Sequence, residues 1–438
     1  MSSGGLFKGL HDENFHKESS SDLEAEARAN LVPKGAFIRD KAPQDPFRDR
    51  IMDESLLVNQ YPTEKLLMFK KQADEGGHCS LMARYMTPEM YERYKDKVSG
   101  GNGNWTIARA INTGTMFPKA YMGIHAGDPE SYDTFRDIYQ PCVEGYHVGF
   151  QWDAGHAQQT DLNPENLSVH LSPEARALVA STRIRLARNL GAPYIMNPNG
   201  SAESRIDVLK LVKRAVEKLD EDLKGRVIEH ASMTEDEEKA LIADHFLFRG
   251  RDQRQAACGY HEYWPHGRGI FQARDKQFNM WINEGDHLRV MVLIPSADIE
   301  AVLSKLARGL AGIERCVASE TQSTQPFASH PVLGIITCCP TNLGTGCRAS
   351  VHMRLPRLVH SLGLEGIDEI CRQHNCQARG SAGEFSELGA GKEDEFTKVD
   401  ISNRFRLGYS EVQLVEHMIT TANMLAVMEA EAEETQRN

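Results

Sequence analysis

The protein has 438 residues, of which 26% are charged and 40% are hydrophobic, and its formal net charge at pH 7 is -12. This length predicts two domains, and the acidic balance argues against non-specific nucleic-acid binding, which needs a basic surface. No apolar run approaches the length of a membrane span, and the first residues lack the charged and then apolar layout of a signal peptide.

The cysteines indicate a reducing environment. Their number is nine, which is odd, and no export signal is apparent, so reduced thiols and a cytoplasmic location are predicted. Cys371 and Cys376, with His374 between them, match no common zinc spacing. We therefore interpret them as structural thiols and expect no tightly bound metal.

Residues 1–58 are predicted to be an N-terminal extension, because Pro33, Pro43 and Pro46 would interrupt a helix there. Two interpretations stay open: a disordered tail, or a docking segment that orders on a protein partner such as a cytoskeletal or other large assembly. The apolar residues available for docking are Leu31, Val32, Phe37, Ile38 and Phe47.

Residues 59–152 are predicted to form a small all-α domain. Thr87 can cap a helix whose first position is Pro88, and Met90 and Tyr94 then recur at helical spacing. No segment of this domain has the β-branched or alternating pattern of a strand.

Residues 153–438 are predicted to form a larger α+β domain, in which helices pack on a β-sheet. Apolar or β-branched runs bounded by turn residues mark the strands. The predicted strands include Ile184, Phe278–Ile282, Val290–Ile294, Gly334–Thr337 and Ser350–Met353. No GxxxxGK[ST] loop is present, which argues against a P-loop kinase.

Three amphipathic helices are predicted in the same domain. An apolar stripe marks a helix over residues 208–223, which Gly225 is predicted to end. Ser296 is predicted to cap a second helix, and a last helix covers residues 410–427. The acid-rich run Glu429–Glu434 is interpreted as a solvated helix end.

Several arginines suggest phosphate chemistry, because the planar guanidinium holds phosphate oxygens at two points. Arg183 and Arg185 occupy alternate positions on a predicted strand, so their side chains should share one face. Three more arginines lie near turns or predicted strands, at positions 289, 348 and 379. Each arginine taken alone is better explained as a solvated surface residue.

Taken together with their surroundings, these residues resemble those of the phosphagen kinases, the arginine and creatine kinases, from about Lys65 to Met428. The matching blocks in the second domain are Ser181–Arg185, Arg188–Asn189, Trp264–Pro265, Gly267–Ile270, Trp281–Arg289, Cys339–Gly346, Arg348–His352, Asp400–Asn403 and Arg406–Gly408. Those in the first domain are Gly123–Ile124, Asp128–Tyr132 and Tyr146–Phe150. The octet that begins at Cys339, CPTNLGTG, is the most specific of them.

The resemblance implies a guanidino-kinase-like fold: a small helical domain, then a larger antiparallel sheet flanked by helices, with the active site between them. It implies reversible phosphoryl transfer between ATP and a small guanidino compound, most simply arginine. Mg²⁺ would lie on nucleotide oxygens and water, as this ion prefers. Both monomers and dimers occur in the family, so the oligomeric state stays open.

The resemblance also implies roles for individual residues. The nucleotide phosphates would be held by Arg183, Arg185, Arg289, Arg348 and Arg379, with His352 near the adenosine. Glu284 would hold a magnesium-bound water, and Glu384 matches the closing-loop glutamate of arginine kinases. Cys339 would lie beside the substrate guanidinium, where its thiolate would hold the cation electrostatically. The substrate would be contacted by Met122, Gly123, Ile124, His125 and Tyr146.

The sequence departs from the family pattern mainly on the guanidino side. The family's Asn-Glu-Glu-Asp-His is Asn-Glu-Gly-Asp-His here, so Gly285 replaces the glutamate that binds the guanidinium and can accept its proton. Tyr121 replaces a glycine and His125 a tyrosine in the substrate loop, and Gln272 replaces a histidine near the adenosine. Tyr146, by contrast, agrees with arginine kinases.

Two functions from different classes follow. The first is an ATP:guanidino phosphotransferase closest to arginine kinase, weakened or altered by Gly285. The second is an inactive relative that serves as a structural or nucleotide-sensing subunit, which the departures and the extension would suit. A bacterial-type protein-arginine kinase is disfavoured because the small helical domain is present.

Overall fold

The computed structural model describes residues 71, 75, 79–100, 105–117, 120–244, 246–248, 253–380 and 397–437. The predictions for the extension, residues 1–58, and for Glu384 lie outside these residues. The division of the chain at residues 152 and 153 stays a prediction.

The first part of the described chain is helical. Its helices are α1 (Leu81–Tyr85), α2 (Pro88–Tyr94), α3 (Ile107–Met116), α4 (Ser131–Thr134) and α5 (Arg136–Tyr146). Thr87 caps α2 as predicted, because its side chain accepts a hydrogen bond from the Met90 N–H at 3.1 Å. Among the described residues of this part, β-pairing is limited to one isolated bridge, between Val98 and Thr106.

The second part is built on a large sheet. Its strands are β1 (Val179–Arg188), β2 (Gly225–Glu229), β3 (Gly269–Ala273), β4 (Phe278–Ile282), β5 (Leu288–Ile294), β6 (Ser329–His330), β7 (Gly334–Ile335), β8 (Cys347–Arg354), β9 (Cys376–Gly380) and β10 (Lys398–Asn403). Eight strands form one sheet in the order β2-β3-β4-β5-β1-β8-β10-β9, and β6 pairs with β7. Every pair of neighbours in the sheet is antiparallel. The predicted fold class is therefore confirmed.

The helices of this second part are α6 (Pro173–Leu178), α7 (Ala202–Glu217), α8 (Glu235–Ala243), α9 (Gln253–Ala257), α10 (Ile299–Thr321), α11 (Pro356–Gln373) and α12 (Glu411–Arg437). Helices α7, α10 and α12 contact one face of the sheet. That face is apolar: Ile184, Leu186 and Val290 have no exposed surface, and the side chains next to them in sequence point to the opposite face.

Two predicted helix boundaries are wrong. Helix α7 ends at Glu217, and Gly225 instead begins strand β2, because a short 3₁₀ turn at Glu221–Leu223 separates the two elements. Helix α10 is capped by Asp298, whose carboxylate accepts a hydrogen bond from the Ala301 N–H at 3.0 Å. Ser296 lies just outside the helix and accepts a hydrogen bond from the Asp298 N–H.

The helical region shares its core with a loop of the second part. We call residues 337–343 the Cys339 loop. The Ala126 N–H donates to the Cys338 carbonyl at 2.7 Å, and the Tyr132 hydroxyl donates to the Thr337 carbonyl at 2.8 Å. Cys338 and Leu343 are fully buried in the same apolar cluster as helices α1, α3 and α5. The helical region therefore fixes the position of this loop.

The sequence suggested that the acidic run at the end of α12 is solvated, but one of its residues is buried. Glu429 is 2% exposed, and its two carboxylate oxygens accept hydrogen bonds from the N–H groups of Arg357 and Leu358, each at 2.9 Å. Helix α11 has no capping side chain of its own. Glu429 of α12 therefore caps α11 with a negative charge at its N-terminus.

Replacing Glu429 with alanine should lower the free energy of unfolding by about 1–3 kcal/mol, because two buried backbone N–H groups lose their acceptors. Urea unfolding followed by far-UV circular dichroism measures the change. Val427, exposed on the same helix, provides the control, since Val427→Ala should change stability by less than about 0.5 kcal/mol. Equal effects of the two substitutions would contradict the capping role.

Candidate active site

The five predicted phosphate arginines come together on one face of the sheet, opposite the apolar core. In the antiparallel register Arg185 of β1 is paired with Arg348 of β8. Arg289 of β5 pairs with Ala187 of β1, two positions from Arg185. Residues directly opposite each other point to the same face, so these side chains converge across three neighbouring strands.

The remaining members lie on the same face nearer the sheet edge. His352 of β8 is opposite both Ser181 of β1 and Asp400 of β10, and Asp400 is in turn opposite Arg379 of β9. The Ser181 hydroxyl lies 3.1 Å from Nδ1 of His352. Burial lowers the pKa of His352, which keeps its imidazole neutral near pH 7.

Asp400 orients one of these arginines. Its Oδ2 lies 2.7 Å from Nη2 of Arg348, and the Ser402 hydroxyl accepts from the same guanidinium at 3.2 Å. Burial alone would raise the pKa of Asp400, but Arg348, His352 and Arg379 outweigh it, so the pKa lies below its ordinary value. The ion pair therefore holds Arg348 in place before any ligand arrives.

Arg183 lacks such an anion. Burial and, to a smaller extent, the neighbouring Arg348 together lower its pKa to about 10. Among the described residues, its Nε is buried without a hydrogen-bond acceptor, and its Nη2 meets only the thioether sulfur of Met291, at 3.2 Å. A guanidinium buried beside another cation is destabilising unless an anion joins it. A phosphate group has the charge and the acceptor oxygens to do so.

Arg289 and Glu284 lie together at the start of β5. Nη1 of Arg289 is 3.3 Å from Oε2 of Glu284, which also accepts a hydrogen bond from the Gly285 N–H at 2.8 Å. The guanidinium of Arg289 stacks on the Trp281 ring, 5.7 Å from its centroid. This ion pair, in which Glu284 already neutralises one of the predicted phosphate arginines, was not expected from the sequence.

The two remaining nucleotide-side residues differ in their partners. Nη2 of Arg379 donates to the side-chain oxygen of Gln377 at 3.0 Å. Gln272 of β3 is opposite Asn279 of β4, and Asn279 is opposite Met291 of β5. Since Met291 is in turn opposite Arg185 of β1, Gln272 lies on the same face of the sheet as the arginines. Its side-chain nitrogen is buried without an acceptor in the part of the chain that the structure describes.

The substrate loop is fixed by its carbonyl groups. The carbonyls of Met122 and Gly123 accept hydrogen bonds from the N–H groups of Met82 and Gly114, at 3.1 and 2.9 Å. The N–H groups of Met122, Gly123 and Ile124, by contrast, have no acceptor among the residues that the structure describes. Three successive donors on a buried loop could bind an anionic group such as a carboxylate.

Any other residue at position 123 would distort the backbone and the packing around it. Its φ is +74°, and a Cβ there would lie 2.4 Å from Oγ of Ser80. This close approach lets α1, α3 and the loop pack together. The requirement for glycine at this position has a physical reason independent of any family pattern.

Aromatic residues fill the rest of the predicted substrate side. Tyr121 packs edge-on against Tyr146, with centroids 5.5 Å apart, and burial raises the pKa of Tyr121 to about 12. His125 meets the ring of Tyr260 edge-on at 5.6 Å. Burial lowers the pKa of His125 to about 4, so it is a neutral side chain near pH 7.

Cys339 precedes the 3₁₀ turn Pro340–Asn342 of the Cys339 loop. Its sulfur lies 3.1 Å from the Thr341 hydroxyl. Burial raises the pKa of the thiol, and the hydrogen bond from Thr341 offsets only part of this. The thiolate expected from the sequence therefore needs a further positive charge beside it, which a substrate guanidinium would supply.

His287 anchors the segment between Gly285 and Arg289. Its Nδ1 accepts a hydrogen bond from the Leu190 N–H at 3.0 Å. Its Nε2 lies 2.8 Å from the Ile195 carbonyl, and because a carbonyl oxygen only accepts, Nε2 must carry a proton and donate. One nitrogen must accept and the other donate, so the ring is neutral. Burial accordingly lowers the pKa of His287 to about 4.

This arrangement predicts destabilisation by acid. The folded pKa of His287 lies below the ordinary value of about 6.5, so the unfolded chain binds the proton first. The stabilising contribution is complete above pH 6.5 and is lost as the pH falls towards 4, by about 3 kcal/mol for this residue. Urea unfolding at pH 7.5, 6 and 5 measures the loss.

His287→Gln should be less stable at pH 7.5 but should lose less on acidification. His156→Gln, at an exposed position, should leave the wild-type profile unchanged. A pH profile of His287→Gln parallel to that of the wild type would contradict the assignment.

Sequence reasoning missed several residues of the site. Tyr260 belongs to none of the recognised blocks, and Asp400 was recognised only as part of a block, without a role. No cluster of three His, Cys, Asp or Glu side chains among the described residues could hold a metal ion. Within the same residues, no helix has both the length and the apolar character needed to cross a bilayer.

A cationic face that carries five arginines, next to a cysteine-containing loop and a loop with free N–H groups, defines a phosphotransferase-type site. Two family models match the chain: ATP:guanido phosphotransferase, N-terminal domain, over residues 77–144, and ATP:guanido phosphotransferase, C-terminal catalytic domain, over residues 207–432. The chain belongs to the ATP:guanido phosphotransferase, or phosphagen kinase, family.

Relatives in sequence are arginine kinases. The chain is 35% identical to arginine kinase Lit v 2.0101 of Penaeus vannamei over 81% of this chain and 94% of that one. It is 36% identical to the arginine kinase of Stichopus japonicus, over 82% and 92% of the two chains. It spans about half of the arginine kinase of Anthopleura japonica: 35% identity over 81% of this chain and 47% of that protein.

Solved structures show the same fold. Lombricine kinase superposes with a TM-score of 0.73 at 30% identity, covering 82% of this chain and 94% of that one. The duplicated taurocyamine kinase from Schistosoma mansoni, with bound transition state analog components, gives 0.72 at 30% identity. This match covers 85% of this chain and 49% of that chain.

Proposed function

We propose that the protein transfers a phosphoryl group reversibly between ATP and a guanidino substrate, with arginine as the first candidate. The observation that carries the proposal is the convergence of five arginines on one sheet face, where Arg183 has a buried, unsatisfied donor. The family membership supports the reaction class, and the relatives named arginine kinase support the choice of substrate.

The arginines would bind and align the nucleotide. Phosphoryl transfer needs positioning and positive charge around the phosphate oxygens rather than covalent chemistry from the protein. We assign this role to Arg183, Arg185, Arg289, Arg348 and Arg379, with His352 towards the adenosine. Because Asp400 already holds Arg348, that guanidinium need not be ordered by the ligand.

Magnesium fits this site only as part of the nucleotide. The described residues contain no cluster of carboxylates, thiols and imidazoles that could hold the ion, whereas the cationic face suits its phosphate ligands. When bound to phosphate oxygens, Mg²⁺ would neutralise negative charge there. Glu284, 8% exposed, is the residue we propose to hold one of its waters.

On the guanidino side, we propose that Cys339 faces the substrate cation. The N–H groups of Met122, Gly123 and Ile124 would bind an anionic end of the substrate, with His125 and Tyr146 beside them. Glu384 is proposed as the remaining carboxylate. Gly285 supplies no base, and a positioned base is typically worth about 10²–10⁴ in rate, so turnover should be slow by that order.

Incubation of the purified protein with phosphoarginine and Mg-ADP, followed by an ATP assay, tests the reaction. ATP formation above a heat-inactivated control is expected. Calorimetry with Mg-ADP tests the nucleotide site separately, and absence of binding would overturn the proposed role of the arginine face. Binding without turnover on arginine, creatine, taurocyamine or lombricine phosphates would favour the non-enzymatic alternative, which the comparisons do not support.

We also propose a cytoplasmic location, which rests on the predicted reduced thiols; none of the nine cysteines, all of them within the described residues, is in a disulfide. Attachment to a large assembly through residues 1–58 stays a proposal of the same kind. Co-sedimentation of the full chain with cytoskeletal fractions, compared with a chain that begins at residue 59, would test it.

A further inference from the structure

Position 285 has no room for a side chain because the ring of Tyr260 lies against it. A Cβ at Gly285 would lie 2.7 Å from Cε2, 3.1 Å from Cδ2 and 3.2 Å from Cζ of Tyr260. Carbon atoms in favourable contact are about 3.5–4.0 Å apart. The φ of Gly285 is outside the left-handed region, so the obstacle is the ring and not the backbone.

The ring of Tyr260 is held in place from several sides. The residue is 7% exposed, and His125 packs edge-on against it. The Tyr260 N–H donates to the Gln255 carbonyl at 3.1 Å, and its carbonyl accepts from the fully buried Arg268 at 2.5 Å. With both backbone groups and a ring edge fixed, the side chain cannot turn away from Gly285 without disturbing its neighbours.

The ring of Tyr260 lies beside the Cys339 loop, because the carbonyl of Gly285, the residue that the ring touches, accepts a hydrogen bond from Sγ of Cys338 at 3.5 Å. Burial raises the pKa of Tyr260 well above its ordinary value, so the phenol is neutral near pH 7. The hydroxyl forms no hydrogen bond with any residue that the structure describes. A neutral phenol can donate or accept a hydrogen bond, but it cannot act as a base near pH 7.

We propose that Tyr260 is a specificity-determining residue of the guanidino site, which fills the volume that a carboxylate side chain at position 285 would need. The inference rests on the proposed function. The guanidinium would meet an aromatic ring and a neutral hydroxyl on this side, and Cys339 on the other. Aromatic rings attract such cations through their π-face, so the site selects guanidino compounds without a second carboxylate opposite Cys339.

A consequence is that the effect of a substitution at position 285 depends on the residue at position 260. Gly285→Glu by itself would force the new side chain against the ring, and would not place a carboxylate in the site. Tyr260→Ala together with Gly285→Glu would provide both the carboxylate and the space for it.

Thermal unfolding tests the packing without any assay of activity. Gly285→Ala should lower Tm by about 5 °C, because even one methyl group meets the ring. Gly100→Ala is the matched control, since a Cβ there would be 3.6 Å from Cγ of Glu130, its nearest neighbour among the described residues, which is an ordinary contact. In the Tyr260→Ala background, adding Gly285→Ala should leave Tm unchanged.

A Gly285→Ala variant as stable as Gly100→Ala would overturn the proposal. This comparison remains decisive if Tyr260→Ala fails to fold, because it uses the native tyrosine. The proposal would also be overturned if Gly285→Ala lowered Tm equally in the presence of Tyr260 and in the Tyr260→Ala variant.

Kinetics with arginine, creatine, taurocyamine and lombricine test the specificity. Tyr260→Ala/Gly285→Glu should raise kcat/KM on at least one of them at least tenfold over Gly285→Glu, with an unchanged Kd for Mg-ADP. Tyr260→Phe should change KM for the guanidino substrate more than kcat. Higher activity of Gly285→Glu alone would contradict the inference.

The two proposals fail in different ways. If wild type and variants bind Mg-ADP but show no turnover, the proposed reaction is wrong. The Tyr260 proposal is then decided by Tm and by the Kd for arginine, which Tyr260→Ala should change at least threefold. An unchanged Kd for arginine would count against Tyr260.

Discussion

Replacing Arg185 with alanine should lower turnover by about a thousandfold or more and weaken Mg-ADP binding, since a single phosphate-directed arginine contributes 10³–10⁵ in rate in comparable reactions. Arg185 is paired in register with Arg348 and lies two residues from Arg183, at the centre of the cationic face.

Arg185→Lys separates charge from geometry. Lysine keeps the positive charge but loses the planar fork, so it should recover part of the nucleotide affinity and little of the turnover. Arg308→Ala is a suitable control, because this arginine lies on α10 behind the sheet and pairs with Asp222 at 2.6 Å. Calorimetry with Mg-ADP and a coupled ATP assay give the two readouts. Similar kinetics for the Arg185 and Arg308 variants would refute the assignment.

Replacing Cys339 with serine should lower turnover by about a hundredfold to a thousandfold, the usual effect of removing one electrostatic stabiliser. Serine retains a small polar group near Thr341 but cannot provide a negative charge at neutral pH. KM for the guanidino substrate should rise, and the Kd for Mg-ADP should stay within about twofold, because the arginine face lies on the sheet. Cys316→Ser, on α10, tests the effect of changing a distant thiol.

Thiol modification provides a second measurement at Cys339. Of the nine cysteines, all within the described residues, only Cys79 and Cys339 are partly exposed. Since burial raises the pKa of Cys339, alkylation should be slow near pH 7 and should accelerate as the pH rises. Mg-ADP with a guanidino substrate should protect Cys339 and leave Cys79 reactive. Equal protection of both cysteines would show that the effect is not local.

The sequence predicted the general fold and much of the cationic face. Arg183 and Arg185 could be placed on one face because alternation along a strand is a local property. The convergence of Arg289, Arg348 and Arg379 depends on the register of five strands, which only the resemblance to a family suggested. Strand β10 and its Asp400 were not predicted as a strand, since the segment is short and four of its six residues are polar.

Other features depend on contacts between distant segments and left no local pattern. Glu429 caps a helix that begins more than seventy residues earlier, so its acidic surroundings suggested a solvated end instead. Gly285 was recognised as a missing carboxylate, but the sequence did not reveal that Tyr260 occupies the space. The role of Glu384 stays a prediction, as this residue lies outside the described part of the chain.

The Cys339 loop shares its apolar core with the helical region, and this determines which parts of the site can move together. Met122, Ile124, Tyr260 and Cys338 belong to the apolar cluster of the helical region. The sheet that carries the arginines is backed by a different cluster. A rigid-body displacement between these two clusters would therefore carry the guanidino-contacting groups away from the phosphate-contacting groups as a set. Each ligand would keep its own binding groups, and only the alignment of donor and acceptor would be lost.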